Sequence, residues 1–202
     1  LCDALQYAHA QGVLHRDIKP ENILLDHQGI PRIADFGIAK LLGDSSSPGH
    51  FTLTQTGQSV GTPHYMAPEQ IESPALVDHR ADIYSLGVVM YQLLTGQLPF
   101  QASNNFSMMY QITNVEPVLP SSLRKDIPLS VDKIVRKAMH KELEQRYQGW
   151  DEFSRDLAEA FRDAVGGTAQ AGVTWESLLA EGGTVAPEVA AALASRPMSN
   201  AL

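Results

Sequence analysis

Four polar residues in the first part of the chain are of types that bind metal ions and anions. Asp17, Lys19 and Asn22 lie in the segment HRDIKPEN, and Asp35 begins the segment DFG. Carboxylate and amide oxygens are ligands that Mg²⁺ prefers, and the lysine ammonium is a compact positive charge. Asp and Asn are also typical of turns, so Asp17 alone would indicate a cap or a polar turn. The elements around these residues are needed to decide between a binding site and a polar turn.

The elements on either side of HRDIKPEN predict how these residues are positioned. Apolar residues recur at helical spacing from Leu1 to Ala8, and Gly12 follows them, which predicts a first helix that ends just before the segment. The strings NILLD, HQG and PRIAD then predict a strand, a turn and a second strand. Because a hairpin brings its outer ends together, we expect Asn22 and Asp35 at the same end of two paired strands.

Beyond Pro68 the spacing of apolar residues is helical. Residues 82–95 predict a buried helix that ends at Gly96, and three amphipathic stripes follow. The stripes are Phe106, Met109 and Tyr110 after Ser103; Val131, Ile134, Val135, Ala138 and Met139; and Phe153, Leu157 and Phe161. The sequence therefore predicts a mainly α domain with one small β-hairpin.

The composition argues against several classes of protein. The 202 residues carry a formal net charge of −8, which disfavours a nucleic acid partner because phosphate recognition needs clustered Lys and Arg. Cys2 is the single cysteine, so no disulfide can form within the chain. The first residues do not resemble a signal peptide, and no apolar run reaches the roughly 18 residues of a membrane span. We expect a cytoplasmic protein, with a membrane-anchored longer parent left open.

The order of the motifs resembles the C-terminal lobe of eukaryotic-like (Hanks-type) serine/threonine protein kinases. HRDIKPEN, DFG, GTPHYMAPE and DIYSLG follow one another, and Arg146 lies further on. The resemblance implies a kinase-like large lobe over residues 1–163, without the N-terminal β lobe. The segments TQT and GTPHYMAPEQ are similar to those of bacterial members. Residues 164–202, rich in Ala and Gly, are expected to be a flexible linker with a short helix after Pro187.

The resemblance implies three catalytic residues. Asp17 matches the base that accepts the proton of the substrate hydroxyl, and Lys19 matches the lysine beside the transferring phosphate. Thr62 matches the threonine whose hydroxyl bridges Asp17 and Lys19. This combination is typical of serine/threonine kinases, so the expected substrates are proteins with Ser or Thr acceptors.

The resemblance also implies a site for ATP and a divalent metal ion. Asn22 and Asp35 match the ligands of Mg²⁺, with Mn²⁺ as an alternative metal. Lys19 contributes to nucleotide binding, and Leu24 matches the residue that forms the floor under the adenine ring. These four residues are the predicted cofactor site.

Other motif residues are expected to support the site rather than to react. His15 matches a histidine that packs and hydrogen-bonds beneath Asp35. Asp82 is expected to bind the backbone of the catalytic loop, and Glu69 and Arg146 resemble the buried ion pair of the family. The remaining histidines lack metal-ligand spacing, so solvated or capping positions are expected for them.

The segment between DFG and GTPHYMAPE predicts control by phosphorylation. Arg16, beside Asp17, could pair with a phosphate added to this Ser- and Thr-rich loop. Thr54 and Thr56 are the expected regulatory sites, and autophosphorylation would involve self-association of the protein. The alternative is a solvated loop without a regulatory role.

Two classes of function stay open from the sequence. The 202 residues contain no G-x-G-x-x-G segment, with which kinases cover the ATP phosphates. The chain is therefore expected either to be the large lobe of an active kinase or to act as a silent docking or regulatory module. We expect the chain alone to bind Mg-ATP weakly.

Overall fold

The computed structural model describes residues 1–36 and 63–166, which form a mainly helical domain with one small sheet. The helices are α1 (Cys2–Ala10), α2 (Pro68–Glu72), α3 (Arg80–Thr95), α4 (Asn105–Asn114), α5 (Pro120–Leu123), α6 (Leu129–Ala138) and α7 (Trp150–Gly166). The two strands are β1 (Ile23–Leu25) and β2 (Pro31–Ile33). Short 3₁₀ turns span Pro20–Asn22, Pro63–Tyr65, Pro74–Leu76 and Leu143–Gln145. The predicted fold class is confirmed.

Helix α1 ends where the sequence predicts. Leu5 and Ala8 are buried, and Gly12 has a φ of +74°, the left-handed conformation that glycine adopts at low cost after a helix. The Gly12 amide donates to the His9 carbonyl at 2.9 Å, which satisfies one of the last carbonyls of the helix. The chain therefore leaves α1 directly into HRDIKPEN.

The predicted hairpin is present and is antiparallel. Ile23 lies opposite Ile33, and the Ala34 amide donates to the Asn22 carbonyl at 2.8 Å beyond the last strand pair. At the other end, one carboxylate oxygen of Asp26 accepts from two amides of the turn. Asn22 and the residue before Asp35 are thus paired at the same end of the hairpin, as predicted.

Helix α3 is the central element of the core, and ten of its sixteen residues are buried. It ends at Gly96, whose φ is +71° and whose amide donates to the Gln92 carbonyl at 2.8 Å. Gly87 allows close contact with α6, because a Cβ added there would lie 2.9 Å from Cβ of Ala138. The helix therefore joins the side of the domain that carries HRDIKPEN to its C-terminal helices.

The predicted buried face of α4 is wrong, although the helix itself is confirmed. Phe106 is 83% exposed and Tyr110 is 59% exposed, whereas Met108 and Ile112 are buried. The helix carries apolar residues on two faces, and the prediction chose the face with the aromatic residues as the buried one. The N-cap is Asn104, whose side chain accepts from the Ser107 amide at 2.9 Å.

The last two stripes are confirmed with one exception. In α6, Ile134, Val135 and Ala138 are buried, as the pattern predicts. In α7, Phe153 is buried, but Phe161 is 61% exposed. The small residue Ala160 is buried instead of Phe161. The prediction missed this because helical spacing alone does not decide which of two neighbouring apolar residues is buried.

Helix α7 continues to Gly166, past the boundary expected after residue 163, while the helix expected after Pro187 lies outside the described residues. Among the helices of residues 1–36 and 63–166, none has the length and apolar character needed to cross a membrane.

Candidate active site

The structure brings Asp17, Lys19 and Asn22 together in the loop between α1 and β1. Lys19 Nζ lies 2.8 Å from Asp17 Oδ2. The Asn22 amide nitrogen donates to the Asp17 carbonyl at 2.8 Å and to Oδ2 at 3.2 Å. The 3₁₀ turn that begins at Pro20 brings Asn22 back toward Asp17, because proline fixes φ at the start of a helical turn.

The charges in this cluster suit the binding of an anion beside a carboxylate. The side chains of Asp17 and Lys19 are 37% and 35% exposed, so solvent reaches both. An ammonium group has three donors, and only one is needed for the bond to Asp17. Lys19 can therefore hold the carboxylate and contact a phosphate at the same time.

Asn22 and Asp35 are suitable ligands for Mg²⁺. Asn22 is 4% exposed and uses its amide nitrogen for Asp17, which leaves its amide oxygen as the atom for a metal. Asp35 is exposed and follows Ala34, which is paired with Asn22. Mg²⁺ commonly takes one or two protein oxygens and completes its shell with water and phosphate. Within residues 1–36 and 63–166, no cluster of three or more His, Cys, Asp or Glu forms a different metal site.

Leu24 is an exposed residue of β1. Its side chain is 41% exposed, whereas its neighbour Ile23 is buried in the core. Leu24 therefore offers an apolar surface two residues after the buried Asn22. This position fits the predicted floor under adenine, which stays a prediction.

Two residues with side chains have left-handed backbone conformations among the described residues, and both belong to the motifs. Arg16 has a φ of +62° and Asp35 a φ of +56°. Such conformations are strained and persist where the surroundings hold them, often at functional sites. The carboxylate of Asp82, 1% exposed, accepts from the amides of His15 and Arg16 at 2.7 Å each. The predicted role of Asp82 is confirmed.

His15 is a supporting residue, as predicted. It is fully buried, and its Nε2 lies 3.0 Å from the Ala34 carbonyl, directly before Asp35. Its Nδ1 accepts from the Asp17 amide at 3.3 Å, so Nε2 carries the proton. The ring packs on Phe36 with centroids 4.8 Å apart.

His9 is a supporting residue that the sequence analysis missed. Its Nε2 lies 2.8 Å from Oδ2 of Asp82, and its Nδ1 accepts from the Trp150 indole N–H at 2.7 Å. Its side chain is only 8% exposed, so the expectation of a solvated or capping position is wrong for this histidine. The available signal was its position four residues after Leu5, on the buried face of α1.

Glu69 and Arg146 form the predicted buried ion pair. Two guanidinium nitrogens lie 2.7 and 3.0 Å from the two carboxylate oxygens. Arg146 also donates to the carbonyls of Arg80 and His140, at 2.9 and 3.0 Å. A buried charge pair needs such additional hydrogen bonds, and this one links α2 to the N-terminal end of α3 and to the segment that follows α6.

The predicted residues Thr62, Thr54 and Thr56 lie outside the described residues. Their contacts with Asp17, Lys19 or Arg16 are not defined by the structure, so their roles stay predictions.

Comparison with known proteins gives consistent results. The sequence matches the protein kinase domain family over residues 1–156. It is 40% identical over 181 residues to the probable serine/threonine-protein kinase PknB of Corynebacterium glutamicum, covering 87% of this chain and 27% of that protein. It is 41% identical over 174 residues to the probable serine/threonine-protein kinase SCO3848 of Streptomyces coelicolor, covering 85% and 25%. Identity to the serine/threonine-protein kinase PknB of Mycobacterium leprae is 40% over 156 residues, covering 77% and 24%. The chain spans about a quarter of the length of these curated relatives.

Proposed function

This chain belongs to the protein kinase domain family, and on that premise we propose that it carries the catalytic loop of a serine/threonine protein kinase. The reaction is transfer of a phosphoryl group from ATP to a Ser or Thr hydroxyl of a protein. The observation that carries the proposal is the convergence of Lys19 and Asn22 on one carboxylate oxygen of Asp17.

Each residue of this cluster has a specific task in the proposed reaction. Asp17 orients the substrate hydroxyl and accepts its proton as the oxygen attacks phosphorus. Lys19 contacts the transferring phosphoryl group and offsets its charge. Asn22 and Asp35 would hold Mg²⁺, which would supply positive charge beside the ATP phosphates. Phosphoryl transfer depends mainly on positioning and electrostatics, which these four residues supply.

The proposed acceptors are aliphatic hydroxyls. Lys19 supports this choice, because lysine at this position is typical of serine/threonine kinases. Thr62 is proposed to bridge Asp17 and Lys19 through its hydroxyl. The cytoplasm, where ATP is available, is the proposed compartment for the reaction.

We also propose control by phosphorylation of Thr54 and Thr56. Within the described part of the chain, the Nε atom of Arg16 is buried and meets no acceptor, so this guanidinium has unused donor capacity. A phosphate carries nearly two negative charges and pairs well with arginine. Autophosphorylation between two copies would connect these sites to self-association. Mapping of phosphopeptides after incubation with Mg-ATP tests this, and phosphate found only at other residues would refute it.

The experiment for the proposed activity uses the gene product that carries this chain. Incubation with radiolabelled Mg-ATP and a mixed peptide library, followed by phosphoamino-acid analysis, should give phosphoserine and phosphothreonine. Phosphotyrosine as the main product would contradict the acceptor class. No transfer to any peptide or protein would favour the alternative, a silent docking or regulatory module.

A further inference from the structure

We infer that Gln70 is a positioning residue of the catalytic loop, because its side chain holds the carbonyl of Arg16 next to Asp17. The effect of Gln70 on catalysis rests on the proposed function. The hydrogen bond between Gln70 and the Arg16 carbonyl can be tested without any kinase activity. Gln70 lies in α2, directly after Glu69 of the buried ion pair.

The orientation of the Gln70 amide is set by its two backbone partners. The Ala67 amide donates to Oε1 at 2.9 Å, and Nε2 lies 3.3 Å from the Arg16 carbonyl oxygen. A backbone N–H can only donate and a carbonyl can only accept. The amide therefore cannot be flipped without losing both bonds, so its nitrogen must face Arg16.

The bond to Gln70 completes the support of a strained residue. Arg16 has a φ of +62°, and Asp82 already fixes its amide at 2.7 Å. Gln70 binds the carbonyl on the other side of the same residue. The peptide plane that contains this carbonyl also contains the amide of Asp17, so its rotation would turn the carboxylate away from Lys19.

The residues on either side of Gln70 are held in place by buried contacts. Glu69, its neighbour, is bound through both oxygens by Arg146, which is 1% exposed. Ala67, which binds the Gln70 oxygen, is fully buried. The segment that follows GTPHYM is thereby connected to the catalytic loop by one side chain, across 54 positions of sequence.

The variant Gln70→Glu separates the two contacts of Gln70. A carboxylate still accepts from the Ala67 amide, so the start of α2 is preserved, but it cannot donate to the Arg16 carbonyl. Gln111→Glu is the matched control, because Gln111 also donates from its amide to a backbone carbonyl, that of Gln101 at 3.0 Å, on the remote helix α4. Gln70→Ala removes both contacts.

The primary measurement is NMR on the 202-residue chain. In Gln70→Glu we expect the Arg16 carbonyl resonance to move and the Asp17 amide to exchange with solvent roughly threefold to tenfold faster, the effect of losing one net hydrogen bond. The melting temperature should change less than in Gln70→Ala, and Gln111→Glu should leave both signals unchanged. Unchanged Arg16 and Asp17 signals in folded Gln70→Glu would overturn the inference. So would a wild-type melting temperature in Gln70→Glu together with a loss of stability only in Gln70→Ala, since Gln70 would then be only a helix cap.

A measurement on the wild-type chain keeps the inference testable if the variants do not fold. The Gln70 side-chain amide protons should exchange several-fold more slowly than those of a solvated glutamine. Exchange at the solvated rate would overturn the inference. In an active gene product, Gln70→Glu should lower kcat and leave KM for ATP nearly unchanged. If the NMR result holds and no variant or wild type transfers phosphate, the proposed function fails and the positioning contact stands.

Discussion

At the scale of single residues, the proposed catalytic loop holds a strained conformation through charged hydrogen bonds. A left-handed residue such as Arg16 costs on the order of 1–3 kcal/mol. Asp82 accepts from two loop amides, and hydrogen bonds to a charged group contribute about 1.5–3 kcal/mol each. The bonds to Asp82 therefore exceed the cost of the strain, and Asp17 keeps a fixed direction toward solvent.

Lys141 is a second residue whose surroundings determine its chemistry. Its ammonium donates to the Ile112 carbonyl at 2.6 Å near the C-terminal end of α4, and it lies 4.4 Å from the centre of the Phe100 ring. Burial lowers the pKa of Lys141 from 10.5 to about 8, although the charge of Glu116 opposes this change. The group thus loses its proton more readily in the folded chain than in the unfolded chain.

The first prediction is a dependence of stability on pH that belongs to Lys141. Between pH 8 and 10.5 the unfolded chain holds more protons at this residue than the folded chain, so the free energy of unfolding rises with pH. We expect the stability of the wild type relative to Lys141→Met to increase from pH 7.5 to pH 9.5. Chemical denaturation at several pH values measures it.

The control for this prediction is Lys133→Met, which removes an exposed lysine from the neighbouring helix α6. Its stability difference from the wild type should stay constant over the same pH range. A constant difference for Lys141→Met as well would show that the Lys141 pKa is not lowered by burial.

The roles of single residues were predictable where a motif names them. His15, Asp82 and the Glu69–Arg146 pair were found through the resemblance of short segments to a family. His9 was missed because its partner Asp82 lies 73 positions away, and nothing local marks such a contact. Gln70 was missed for the same reason, since only the fold brings it to the catalytic loop.

At the scale of elements, the hairpin and the helix boundaries were predictable and the faces of some helices were not. Gly12 and Gly96 mark helix ends because only glycine adopts a positive φ at low cost. The orientation of α4 was mistaken because it carries apolar residues on two faces. The exposure of Phe106 and Tyr110 is decided by packing against α2 and the Pro63–Tyr65 turn, which helical spacing does not encode.

The second prediction concerns the contact between α3 and α6. Gly87→Ala places a methyl group 2.9 Å from Ala138 Cβ and 3.1 Å from Met139 Cγ, which forces the helices apart. We expect a loss of about 1–3 kcal/mol in the free energy of unfolding, as for other overpacked cores. Urea denaturation of the chain measures this loss.

Gly149→Ala is the matched control, because a Cβ at Gly149 meets no atom within 4 Å. Gly149 precedes α7 at a position where Ala is less favourable than Gly, so the loss in unfolding free energy should stay below about 1 kcal/mol. Equal stability of Gly87→Ala and the wild type would contradict the close packing of α3 on α6.

At the scale of the whole molecule, α3 connects two parts of the core. Ile83 and Leu86 belong to a cluster with the N-terminal helix and the hairpin, and Tyr84 and Val88 belong to a second cluster with α4. The proposed active site is next to the first cluster, and its loop is bound by Asp82 near the N-terminal end of α3. Asp82, which binds the proposed catalytic loop, therefore lies at the N-terminal end of the helix that joins the two clusters.

The third prediction is weak binding of Mg-ATP by the 202-residue chain alone. The sequence contains no G-x-G-x-x-G segment to cover the phosphates, so the proposed nucleotide contacts are limited to Lys19, Leu24 and the proposed metal ligands Asn22 and Asp35. Isothermal titration calorimetry should give no affinity in the micromolar range. A micromolar dissociation constant would show that this chain forms a more complete nucleotide site than proposed.

The central claim is tested most directly by removing the negative charge of Asp17 in the gene product that carries this chain. Asp17→Asn should lower kcat for phosphoryl transfer to a Ser or Thr peptide by about 10²–10⁴-fold, because the base is lost while the loop is retained. Asp3→Asn, at an exposed position of α1, is the control and should keep wild-type kcat. Transfer by Asp17→Asn at a rate within threefold of the wild type would contradict the account.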